Sequence, residues 1–153
     1  MLDPNIPGIG WRIQYDRLER AFQRIKQSHG SSVEYDDDLQ NFFECCLHLA
    51  DWIGQDSATG MSLPDIKREM LSHQALQDAA DLANASKHFA RSDPARRTHV
   101  TSKSVTVHLG RNKAADISHT VTRANGTTFS AQDLVDDAWN AWQMILRGCG
   151  LIY

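Results

Sequence analysis

The sequence predicts an α-rich α+β domain: a bundle of about four helices, then a small antiparallel β-hairpin or three-stranded sheet, and a closing helix. Apolar residues recur at steps of three and four through the first part of the chain, and the period changes to two near residue 104. The chain has 153 residues, so one globular domain is predicted over residues 11–153. Residues 1–10 form an N-terminal arm, rich in Pro and Gly and without periodicity.

The first two helices follow from their apolar stripes. Helix one is predicted over about 11–28, where a bundle seam runs along one side, made of Trp11, Tyr15, Leu18, Phe22 and Ile25. Helix two is predicted over about 37–53, because the acids at 36–38 favour a helix N-terminus. Gly54 is a plausible stop for this helix.

The next two helices are marked by caps and breakers. Ser62-Leu63-Pro64-Asp65 is typical of a cap followed by an early-turn proline, so a short helix is predicted over about 63–72. A fourth helix is predicted over about 74–90, ending before Asp93-Pro94. Together with the first two, these helices complete the predicted bundle.

Alternating residues then predict strands. Val105, Val107 and Leu109 alternate with polar residues, as do residues near Ile117 and Val121. Asn125-Gly126 is a strong hairpin-turn signal, and residues 127–129 fit a short third strand. Ser130-Ala131-Gln132-Asp133 resembles a capping box that opens the last helix, over about 131–147. Trp11, Trp139 and Trp142 are expected to anchor the core or its edge.

One end of helix four carries the most informative group of side chains. Asp81, Asn84 and His88 fall within one narrow sector of the helix, with Lys87 beside them, and small apolar residues fill the opposite sector. These side chains can bind phosphate or transfer a proton, so the face is a candidate site. The alternative is a polar helix surface with no chemical role.

Helix two carries a second polar face. Glu44, His48 and Asp51 point away from its apolar stripe, and Trp52 lies nearby. A His and an Asp three residues apart are compatible with metal binding or acid–base work. If this face met that of helix four, the two would form a polar cleft. Solvated helix surface is again the alternative.

Helix one offers a basic row. Arg17, Arg20 and Arg24 align away from the apolar seam, and a later basic segment could join them at a phosphate backbone (Arg96, Arg97, Lys103, Arg111 and Lys113). The net charge is −3, but eleven acids face two bases between Glu34 and Asp81. Six bases face one acid between Arg91 and Lys113. This uneven charge distribution either steers a partner, or the acidic and basic parts lie on one surface and neutralise each other.

Several function classes lack their sequence signals. There is no HExxH, no Cys/His quartet of known spacing, no nucleophile elbow and no phosphate-binding glycine loop, so neither a metal nor another cofactor is predicted. Cys46 falls on the buried stripe and Cys45 on the helix flank, and with Cys149 they make an odd set. Reduced thiols, no apolar span and no signal peptide at the start predict a cytoplasmic protein with no membrane partner.

The segments His48-Leu49-Ala50-Asp51-Trp52-Ile53 and Asp81-Leu82-Ala83-Asn84-Ala85-Ser86-Lys87-His88 resemble a group of uncharacterised bacterial and phage proteins. Those proteins carry an HLxDWI helix followed by a DLANxSKH helix. The bundle also resembles, more loosely, HEPN-type proteins, many of which are metal-independent ribonucleases. Their motif is an Arg and a His with four to six residues between them, usually with a polar residue after the Arg. Asn84 and His88 have three residues between them and no Arg. Arg24–His29 and Arg68–His73 do fit, at a frequency that chance explains.

The resemblance implies an HEPN-like cytosolic domain that binds or acts on RNA or a nucleotide. Asn84, Lys87 and His88 would contact phosphate, and His88 would act as general acid or base with Asp81 orienting it. The alternative is a non-catalytic interaction protein or homodimer, for example a phage or defence-system accessory. Trp52, expected on the outer face of helix two, would then be the first place to look for the interface.

Overall fold

The computed structural model describes residues 2–27, 29–85, 99–107 and 115–153. These residues form an α-rich α+β fold with a small antiparallel sheet and a C-terminal helix, so the predicted fold class is confirmed. The helices are α1 (Gly10–Ile25), α2 (Ser32–Gln55), α3 (Leu63–Leu71), α4 (Gln74–Ala85) and α5 (Ala131–Gly148); the strands are β1 (His99–Val107), β2 (Ala115–Thr122) and β3 (Thr128–Ser130); a 3₁₀ helix spans Ser57–Thr59.

Helix α2 lies at the centre of the bundle and contacts α1, α3, α4 and α5. Its Phe42, Leu49 and Ile53 are fully buried, and so is Trp142 of α5. Trp139, half-buried at the core edge, stacks on Phe22 of α1 with ring centroids 4.7 Å apart. The predicted helical periodicity therefore places the core where the apolar stripes of α1, α2 and α5 meet.

The start of α2 corrects the sequence prediction. The hydroxyl of Ser31 accepts a hydrogen bond from the backbone N–H of Glu34 at 3.1 Å, and the Glu34 carboxylate accepts one from Gly30 at 2.9 Å. This capping starts the helix at Ser32 rather than at 37. The three acids at 36–38 consequently lie inside the helix, and Asp38 is buried.

Other helix ends follow the predicted caps. Ser62 caps α3 by accepting from Asp65 N at 3.2 Å, and Ser130 caps α5 by accepting from Asp133 N at 3.0 Å. Gly54 lies within α2 instead of ending it. The predicted extension of α4 from 86 to 90 lies outside the described residues.

The three strands pair antiparallel in the order β1-β2-β3. The turn before β3 uses Asn125 and Gly126 as predicted, and Gly126 takes a positive φ of 87° that favours glycine. Val121 of β2 is fully buried, and both β2 and β3 contact α5. The sheet is thereby packed against the bundle through its second strand.

A buried ion pair fastens α4 to the end of β2. Asp78 is 1% exposed and accepts a hydrogen bond from the Nε of Arg123 at 2.9 Å. Gln74 donates to the other oxygen of the same carboxylate at 3.1 Å. A charge buried to this extent requires such partners, so the pair is a structural link.

Candidate nucleic-acid interface

Arg17, Arg20 and Arg24 form an exposed row on α1, called here the arginine row. The row borders α2. The guanidinium of Arg17 lies 5.6 Å from the centre of the Trp52 ring, and Arg24 Nη1 lies 3.5 Å from Asp38 Oδ1. Burial raises the pKa of Cys45, and the positive charges of Arg17 and Arg20 partly oppose this. The row therefore follows the groove between α1 and α2.

At the Arg24 end of this groove lies a cluster of Arg24, His29 and Asp38, which the sequence analysis did not choose as a site. His29 Nε2 lies 2.8 Å from Asp38 Oδ2, so Arg24 and His29 meet at one carboxylate. An ionised carboxylate only accepts hydrogen bonds, so the ring nitrogen that faces it carries the proton. The His29 side chain is 6% exposed and that of Arg24 is 58% exposed. The guanidinium thus reaches solvent, while the imidazole lies behind it.

Tyr35 joins this cluster to the sheet. Its ring makes edge contacts with His29 and with His119 of β2, each with centroids 4.9 Å apart. His119 is buried and its Nε2 pairs with Asp36. Among the described residues its Nδ1 has no hydrogen-bond partner, so Asp36 is the polar contact of this ring. Burial, and then the charge of Asp136, raise the pKa of Tyr35.

The arrangement has the elements of acid–base chemistry at a phosphate. A carboxylate orients an imidazole, and an arginine supplies positive charge beside it. Sequence reasoning missed this cluster because its members come from the loop after α1, from α2 and from β2. The one available signal was the Arg24–His29 spacing, which chance alone also produces.

The predicted polar face of α2 is partly used within the fold. Asp51 Oδ1 lies 3.1 Å from Lys67 Nζ of α3, and Gln40 donates to Glu44 at 2.9 Å. His48 is half-buried. An ion pair between two half-exposed side chains contributes little stability, but it directs Asp51 toward α3 rather than toward a cleft.

The predicted face of α4 is described only in part. Asp81 and Asn84 are half-buried, and Asp81 already takes part in a polar or electrostatic interaction. Gln40 of α2 donates to the carbonyl of Ala83 at 3.2 Å, so α2 and α4 are hydrogen-bonded to each other there. Lys87 and His88 lie outside the described residues, as do Arg96, Arg97, Arg111 and Lys113. The Asp81–His88 pairing therefore stays a prediction.

Trp52 differs from its expected position on the outer face of α2. It is half-buried and packs against the core. Its ring also lines a cavity of about 280 Å³ together with the N-terminal arm. An anchor for a large flat interface would need a freely exposed indole, which this position does not provide.

The three cysteines are free thiols in the structure. Cys45 and Cys46 are buried and Cys149 is half-buried, so Cys45 is not the helix-flank thiol that the sequence predicted. Burial is the main cause that raises the pKa of each thiol. Thiols held in the neutral form are poor nucleophiles, which argues against cysteine chemistry here.

The described residues lack two further features. No group of three or more His, Cys, Asp or Glu side chains there is placed to hold a metal ion. No helix in the same ranges is both long and apolar enough to cross a membrane. Comparison of the chain with protein-family models, with curated proteins and with solved structures finds no match.

Proposed function

We propose that this chain is a cytosolic HEPN-like domain that binds RNA through the arginine row. The observation that carries the proposal is the alignment of three exposed guanidinium groups along one groove. Seven residues of helical rise separate the first from the last, which is about 10 Å. A row of this kind suits the phosphates of a single strand lying along α1, since arginine binds phosphate with two parallel hydrogen bonds.

The Arg24–His29–Asp38 cluster supports the HEPN-like part of the proposal. Arg24 and His29 have the Arg-x4-His spacing, and both reach the same carboxylate. An imidazole in this position would take the proton of a ribose 2′-hydroxyl, and the arginine would stabilise charge on the phosphate. His29 is covered, so RNA binding is better supported than cleavage. Catalysis by His88 with Asp81 is a separate part of the proposal.

A second candidate is the non-catalytic interaction or accessory protein. It is favoured by the ion pair between Asp51 and Lys67 and by the bond from Gln40 to Ala83. Both contacts consume polar groups that a cleft would need. In this reading the polar residues hold α2, α3 and α4 together, and no nucleic acid binds.

Titration of a fluorescent single-stranded RNA at several salt concentrations tests the proposal. Replacing the three arginines of the row by Glu should weaken binding of all sequences alike. The slope of log affinity against log salt should fall by about two units, because three phosphate contacts on a single strand release about 0.7 counterion each. Arg20→Glu should lower affinity severalfold, whereas Arg68→Glu, the same charge change at an exposed site on α3, should not.

Cleavage is measured on the same RNA. His29→Ala should abolish cleavage if the cluster is catalytic, and His88→Ala should do so if the predicted face of α4 is. Cleavage that survives both changes would remove both assignments. Absence of binding by the unmodified protein at low salt would remove the RNA proposal and leave the interaction protein.

A further inference from the structure

A cavity of about 280 Å³ lies where the N-terminal arm meets the end of α2. Its walls are the indole of Trp52, the arm from Pro4 to Pro7, and the polar side chains of Gln55, Asp56 and Ser57. Pockets for small molecules usually measure about 300–1,000 Å³. This cavity lies just below that range, so it suits a small ligand, about as large as one planar heterocycle with part of a sugar.

The arm is firmly held over this cavity. The Asp56 carboxylate accepts backbone hydrogen bonds from Gly8 at 2.8 Å and from Trp11 at 3.4 Å. At Gly10, an added Cβ would lie 2.7 Å from the carbonyl oxygen of Pro4, so the chain passes itself too closely for a side chain. The cavity is therefore a built feature with fixed walls on both sides.

Positive charge stands beside the same walls. The Arg17 guanidinium lies 5.6 Å from the centre of the Trp52 ring. Burial works to raise the pKa of Asp56, but the backbone amides and the nearby Arg12 outweigh it and hold that pKa below its ordinary value. The Asp56 carboxylate thus stays ionised, with its oxygens bonded to the backbone amides of the arm, and Arg17 beside Trp52 is a positive group that an anionic part of a ligand could reach.

We propose that this cavity binds a nucleobase, stacked on Trp52, with the attached phosphate at Arg17. The proposal rests on the RNA-binding function and extends it, because Arg17 is also the end of the arginine row. An indole stacks on any base, whereas the amide of Gln55 and the hydroxyl of Ser57 offer hydrogen bonds to a base edge. A strand that follows the row would place one base in the cavity.

Tryptophan fluorescence provides the first test, with the four nucleoside monophosphates as probes. Stacking on an indole quenches its emission, so at least one nucleotide should quench the unmodified protein in a saturable way. The quench should persist in Trp139→Phe and disappear in Trp52→Phe. Trp139 is a suitable control because it is also half-buried but stacks on Phe22 instead of lining the cavity.

Calorimetric titration of the same nucleotides tests the cavity without removing a core residue. Ser57 is exposed, and Ser57→Leu should fill the cavity and lower nucleotide affinity about tenfold or more, in the range that loss of one stacked base costs. Gln55→Ala should weaken binding severalfold and alter the preference among bases. Gln23→Ala, an exposed glutamine on α1, should change neither. Denaturant unfolding confirms that each variant is folded.

The outcomes separate the two proposals. Mononucleotides that neither quench Trp52 nor give a saturable heat overturn the cavity proposal, and so does Ser57→Leu with unchanged affinity. An oligonucleotide that still binds through the arginine row would then leave the RNA function intact. Saturable mononucleotide binding without oligonucleotide binding would retain the cavity as a free-nucleotide site and reject the RNA function.

Discussion

Asp56 shows how one side chain fixes an irregular segment. Its carboxylate accepts hydrogen bonds from the backbone of Gly8 and Trp11, which holds the arm in place. The same carboxylate accepts one from Ala58, which caps the 3₁₀ helix that follows α2. No periodicity in the first ten residues predicts this, because the arm has no secondary structure of its own. Its order comes from an acceptor 48 residues away in the chain.

Replacing Asp56 by Ala should lower the free energy of unfolding by about 1–2 kcal/mol, as loss of a helix cap does. The pH dependence has a defined sign. The pKa of Asp56 is lowered in the folded state, so its contribution is present above the ordinary value of about 3.9 and is lost as the pH falls below it. Urea unfolding at pH 7 and at pH 3 measures both effects, and an equal difference between variant and unmodified protein at the two pH values would contradict this role.

In the His29 cluster, Asp38 alone holds two neighbouring side chains, those of Arg24 and His29. Asp38 lies in a run of three acids that the sequence assigns to the start of a helix, yet it is buried and shared by Arg24 and His29. The run alone cannot indicate which acid turns inward. That choice depends on how α2 packs against its neighbours, which brings Asp38 beside Arg24 and His29.

Helices α2 and α3 approach each other closely at Gly54. Gly54 of α2 lies so near α3 that an added Cβ would be 2.6 Å from the Cα of Leu63. Glycine is needed here for space and not for its backbone freedom, since its φ is not positive. The sequence predicted that Gly54 ends the helix. The structure shows instead that glycine is needed there for the contact with α3.

Gly54→Ala and Gly148→Ala form a matched pair at the ends of two helices. The first should destabilise the protein by about 1–3 kcal/mol through overpacking against backbone. The second has nothing within 4 Å of the added Cβ and should stabilise by about 0.5–1 kcal/mol through helix propensity. Thermal and urea unfolding measure both. A Gly54→Ala variant that is not destabilised would mean that α2 and α3 can separate without loss, and a destabilised Gly148→Ala variant would contradict the helix-propensity argument.

Elements were predictable where local signals agree, and the site was not. The caps at Ser62 and Ser130, the Asn125-Gly126 turn and the apolar stripes depend on residues close in sequence, so they locate helices and strands directly. The contact of Tyr35 with His119 depends on how α2 packs against β2, and the two residues are 84 positions apart in the chain. No pattern along the chain carries that information.

On the scale of the whole molecule, the acidic excess between Glu34 and Asp81 is partly neutralised inside the fold. Arg24 pairs with Asp38, Lys67 with Asp51 and Arg123 with Asp78. The local charge counted from the sequence therefore overstates the field that a partner meets. Arg17 and Arg20 of the arginine row are exposed and are not in these pairs, so a polyanion would be attracted most strongly along α1.

The rates at which the three cysteines react with a thiol reagent can report how often parts of this fold open. Cys149 is half-buried near the chain end, whereas Cys45 and Cys46 sit in the central helix. A thiol-specific reagent at pH 8 should modify one group quickly and the other two only as fast as the core opens. Mass spectrometry would identify Cys149 as the fast site. If all three thiols reacted at the same rate, α2 would open as often as the C-terminal end of α5 does. With separate rates, the two slow thiols report how tightly the central helix is held, in a protein that has no added probe.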